Sequence, residues 1–134
     1  MDPKLRDLFD NLLEQVLRQL PGWINNLLDE VPLHVEDYPS DDVLDMMQID
    51  DRDSLCGLYT GIPLTQKLSM LDQGRFPDPN AVTIYREGIM RAAYDRRGRL
   101  TEKELLRQIK ITVLHELGHH HGLNEDDLTR LGYG

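Results

Sequence analysis

At 134 residues the chain is about one domain long, with material for a single compact core. Forty per cent hydrophobic and 29% charged residues exclude wholesale disorder. A net charge of −9 with an isoelectric point near 4.9 argues against binding of nucleic-acid phosphates as the main activity, but not against metal binding, because carboxylates and imidazoles are ligands for hard and borderline cations.

The first twenty residues, MDPKLRDLFDNLLEQVLRQL, begin with Asp2 as a helix cap and Pro3 as first helical residue. Leu5, Leu8, Phe9, Leu12, Leu13, Val16, Leu17 and Leu20 then form one apolar stripe. Charges interrupt it every few residues, so the segment is neither a signal-peptide core nor a membrane span. With a lone cysteine, Cys56, and hence no internal disulfide, a cytoplasmic protein with no membrane partner is expected.

Pro21-Gly22 breaks the stripe, and a shorter helix is predicted through Trp23, Ile24, Leu27 and Leu28. Val31, Leu33 and Val35 alternate with polar residues, as in a strand. The aspartate-rich stretch 40–54 leaves room for a short helix around Val43–Met47. LCGLYTGIPL (55–64) predicts a short strand, 65–80 a loop ending in FPDPN, and AVTIYR (81–86) the strand clearest by composition. EGIMRAAYD predicts a short helix and RRGR a turn. A long helix follows, opened by a capping box of Thr101 and Glu104, running to about His121 and ended by Gly122. Helices, then strands, then a helix give an α+β domain spanning 1–134.

The long helix carries the chemistry. HELGHHHGLNED (115–126) holds four of the chain's five histidines. At about 100° per residue, His115 and His119 lie within about 40° of each other, one turn apart, and two imidazoles so placed can reach one cation. Glu116 is angled away from the pair, placed to hydrogen-bond a water on the metal without ligating it, which is the H-E-x-x-H arrangement of two ligands and a general base. Leu106, Ile109, Val113 and Leu117 fall roughly opposite His115, so the core lies there. A catalytic zinc needs a third protein ligand. Gly122 can reverse the chain, and Glu125 and Asp126 are the candidates beyond it. His120, directed toward the core, His121, and His34 in its strand read as structural, and Cys56 as a small buried side chain.

Here the sequence resembles the minimal zincins, small bacterial zinc metallopeptidases. Their motif H-E-x-x-H-x-x-G-x-x-[DE] is matched by His115, Glu116, His119, Gly122 and Glu125, and GLYTGIPL and AVTIYRE look like the family's other recurring segments. The likeness covers most of 30–133 and is weakest over 40–54. It departs at the third ligand, where the family pattern tends to carry Asp and this chain has Glu125 followed by Asp126 and Asp127. The resemblance implies a zincin-like α+β fold, with the motif helix under a small twisted sheet. Larger zincins add a lower subdomain after the motif helix. Only thirteen residues follow His121 here, so an open, shallow cleft is expected.

The leading expectation is a zinc-dependent hydrolase of peptides, with Glu116 as general base, His115, His119 and Glu125 as zinc ligands, and an edge strand at 57–61 holding an extended substrate by strand addition. Tyr59, Tyr85, Arg86 and Tyr133 are of the right type to assist at the oxyanion, and none is singled out by the sequence. Two alternatives stand beside it: a metal-binding module closed by a fourth side chain, and an interaction protein that uses the first helix's leucine stripe to hold a partner.

Overall fold

The computed structural model describes residues 1–61, 73–74, 80–120 and 126. Helix α1 (Pro3–Gln19) starts where Asp2 accepts from the backbone N–H of Lys4 at 2.8 Å, as the Asp-Pro pair predicts. Phe9, Leu12, Leu13 and Val16 of its stripe are buried in the main apolar core. The stripe offered above as a partner-binding surface is therefore the chain's own core. Helix α2 (Gly22–Glu30) follows Pro21 and adds Ile24.

Among the described residues, β1 (Leu33–Glu36), β2 (Gly57–Thr60) and β3 (Ala81–Tyr85) form a mixed sheet ordered β1-β3-β2, with β1 parallel and β2 antiparallel to the central β3. β2 is shorter than the 55–64 segment suggests, and among the described strands it is an edge. Between β1 and β2 lie α3 (Asp41–Met47), where a short helix is predicted, and a 3-10 turn at Arg52–Ser54. Helix α4 (Arg86–Ala93) begins directly after β3.

Helix α5 (Glu102–His120) opens with half of the predicted capping box. Thr101 Oγ1 accepts from the Glu104 N–H at 3.2 Å, while the Glu104 carboxylate instead takes Arg107 at 2.8 Å and Gln108 at 3.0 Å. Its inner face is Leu105, Ile109, Val113 and Leu117; Leu105, rather than the predicted Leu106, is the fully buried member, and Leu106 is half-buried. Val82 and Ile84 of β3 complete this core. The sheet therefore lies over the motif helix, giving the α+β architecture that the resemblance implies. No described helix is long and apolar enough to cross a membrane. The segment read as a loop lies outside the described residues apart from 73–74 and Asn80, and so does the helix stop at Gly122.

One close approach fixes the sheet relative to α4. A Cβ at Gly88 would sit 2.1 Å from the Leu55 carbonyl oxygen and 2.7 Å from its carbon, and Leu55 leads directly into β2. Alanine favours a helix over glycine by about 1 kcal/mol. Overpacking against backbone that cannot rotate away outweighs this, at about 1–3 kcal/mol or more. Gly88→Ala is expected to lower the melting temperature by several degrees, read by calorimetry. An unchanged or raised value would show that α4 and the Leu55 segment separate freely.

Candidate metal centre

His115 and His119 stand one turn apart on α5, both half-buried, with ring centroids 5.0 Å apart and planes inclined at 76°. One ring nitrogen of each and one Glu116 carboxylate oxygen all lie within 4.8 Å of one another. Two imidazoles and a carboxylate that close together make a donor set suited to a borderline cation such as zinc. Asp126, the weaker of the two third-ligand candidates, is exposed and is not in this group; Glu125, the stronger one, lies outside the described residues, as do His121 and Tyr133.

Glu116 is only 8% exposed. From the helical angle it turns away from the histidine pair, and the structure adds that this turn carries it under β2. A Cβ at Gly57 would meet Glu116 Cγ at 3.0 Å, Thr112 Cγ2 at 3.1 Å and the Thr83 carbonyl at 3.3 Å. Any side chain at 57 would thus press on the carboxylate's stem, so this strand glycine is the space in which Glu116 sits. Next to it, burial and then the charge of Glu116 push the Cys56 thiol up, which keeps it protonated at neutral pH. Cys56 is half-buried and outside the donor group, as a packing residue should be.

His120 is 2% exposed and turned from the pair into the interior, as its helical angle predicts. The Tyr59 hydroxyl and the Asn80 amide N–H both reach its Nδ1 at 3.2 Å, and Glu30 Oε2 lies 3.4 Å from Nε2. Two donors on Nδ1 and an acceptor at Nε2 select the tautomer protonated on Nε2. The imidazole thus links α2, β2 and the start of β3 to the end of the motif helix. Tyr59 is anchored by this contact at the wall of the metal site.

Of the other described residues considered for the oxyanion, Arg86 is engaged elsewhere. Arg86 is bidentate to Asp10, at 2.9 and 3.1 Å, and donates to Asp37 at 3.0 Å. Burial pushes Asp37 up, but hydrogen bonds from Arg6 and Arg86 outweigh it and hold the carboxyl below its ordinary range. This network ties α1 to the end of β1 and the start of α4, so the guanidinium is committed to structure. Tyr85 is buried, and His34 is an exposed strand residue.

Beyond Tyr59 and the 57–61 edge, the sequence does not single out the residues that shape the cleft. A hollow of about 380 Å³ opens beside the histidines, walled by Met47, Leu55, Leu58 and Tyr59. Leu55 and Tyr59 belong to a segment recognisable as a strand, but nothing local in DDVLDMM brings Met47 to the hollow beside the histidines. No curated protein matches the chain. Residues 28–134 match the model of the zincin-like metallopeptidases, a span that holds the sheet, the motif helix and all three donor residues. By that match and by the His115-Glu116-His119 cluster beneath the sheet, the chain belongs to the zincin-like metallopeptidase family.

Proposed function

We propose that the protein is a zinc-dependent peptidase of the cytoplasm in which His115 and His119, with Glu125, hold the metal and Glu116 moves the proton. The observation that carries this reading is the gathering of the His115, Glu116 and His119 donor atoms within 4.8 Å of one another under edge strand β2. Zinc, when bound there, supplies a Lewis acid that acidifies water and polarises a carbonyl.

The chain's own groups do the rest. β2 offers its outer edge to an extended peptide, whose backbone pairs with it as an added strand. Gly57 leaves the space beneath the strand in which the Glu116 stem sits. The Glu116 carboxylate takes a proton from the attacking water and returns it to the leaving amine, as a base and then an acid at one pair of oxygens. Its burial keeps bulk water from competing for that proton.

The test is metal-dependent cleavage of a mixed peptide pool by the purified protein, with products read by mass spectrometry. Chelation is expected to abolish cleavage, and one equivalent of zinc to restore it. Stoichiometric zinc without cleavage would favour the metal-binding module instead.

A further inference from the structure

A single exposed methionine on a protein surface needs no explanation. Helix α3 is different, because it buries none of its seven residues yet carries two large apolar side chains, Met46 at 65% exposure and Met47 at 41%. Its ends are nevertheless fixed. Ser40 Oγ accepts from the Val43 N–H at 3.3 Å, and Gln48 closes the other end in a left-handed conformation at φ 55° that non-glycine residues seldom take. There the Ile49 N–H donates to the Leu44 carbonyl at 2.9 Å. Met47 is therefore the last helical residue before a defined stop, held over the hollow that Leu55, Leu58 and Tyr59 wall from the other side.

We infer that this hollow is a subsite for one apolar side chain of the substrate, next to the bond presented to His115, Glu116 and His119. The inference rests on the peptidase reading and names its preference. The cavity of about 380 Å³, lined on one side by His115, Glu116 and His119 themselves, lies at the small end of ligand sites, with room at its apolar wall for a side chain rather than a folded partner. The thioether of Met47 adapts to branched or aromatic occupants. Asp41, Asp42 and Asp45 on the exposed surface of α3 make the surroundings negative, so an acidic side chain is both poorly solvated in the hollow and repelled. The anchored Tyr59 supplies the rigid wall, and Met47 the adjustable one.

The experiment titrates zinc-loaded protein calorimetrically with three hydroxamates that share one metal-binding group: acetohydroxamate, leucine hydroxamate and aspartic acid α-hydroxamate. Leucine hydroxamate is expected to bind at least about tenfold more tightly than the aspartic acid compound, the yield of partly burying one aliphatic side chain. In Met47→Asp the advantage of leucine hydroxamate over acetohydroxamate, both measured in that variant, should fall by about tenfold, and in Met47→Leu it should persist. Taking the ratio within each variant cancels any change at the metal itself. If acetohydroxamate binds but the side chain makes no difference, or Met47→Asp leaves the ratio intact, the subsite is overturned while the open metal site stands. If acetohydroxamate does not bind, the open site fails and the subsite falls with it.

Discussion

Replacing Glu116 by glutamine is expected to slow peptide hydrolysis by about 10²–10⁴-fold, the usual yield of a positioned general base, while zinc affinity stays within about tenfold. Glutamine has the same shape, so its stem still fits the space left by Gly57 and the helix keeps its seat against β2. What it lacks is a carboxylate oxygen that can take up a proton. Initial rates on one peptide, with zinc titrated into metal-free protein by calorimetry, separate the possible roles. Full activity in the variant would remove Glu116 from the reaction. Loss of zinc together with activity would make it a ligand, which its position in the 4.8 Å donor group makes a real alternative.

The second large effect concerns the metal. His115→Ala combined with His119→Ala is expected to abolish stoichiometric zinc in protein purified metal-free and then reconstituted. Both side chains are half-buried and neither contributes to the main apolar core, so the variant should keep its fold by circular dichroism. Zinc retained at full occupancy would move the site elsewhere. The same titration decides the third ligand. Glu125→Ala should weaken zinc by at least about tenfold and Asp126→Ala little, since a catalytic zinc uses three protein ligands. If Asp126→Ala is the damaging change, the chain reverses by another path after the helix. If neither matters, two histidines alone hold the metal, and a hydrolase loses most of its support.

Much of this protein is determined locally. The Asp-Pro start of α1, its leucine stripe, the alternation in Leu33–Glu36, the β-branched run of Ala81–Tyr85 and the Thr101 cap of α5 each follow from the geometry of a single element, so each is legible without knowing its neighbours. The His115–His119 pair is local in the same sense, because a helix turn sets its spacing whatever surrounds it. Helical angle also suffices to send His120 inward.

Other features required the packed chain. His120 meets Asn80, Tyr59 and Glu30 across 40, 61 and 90 residues, and no local pattern encodes partners so distant. Gly57 and Gly88 look alike as glycines in a strand and a helix. Only the approach of Glu116 to one and of the Leu55 carbonyl to the other shows that both spaces are filled. Arg86, a plausible oxyanion partner by residue type, is withdrawn by Asp10 and Asp37 from two other elements. Met47 comes to the metal site because α3 is capped and stopped where it is, although its own segment reads only as a short polar helix. The elements and the one-turn spacing of the two candidate imidazoles follow from short-range periodicity, which the residues carry without their neighbours. The tertiary structure decided the cleft around them, because its walls are side chains and glycine-made spaces that distant segments bring together only when the core closes.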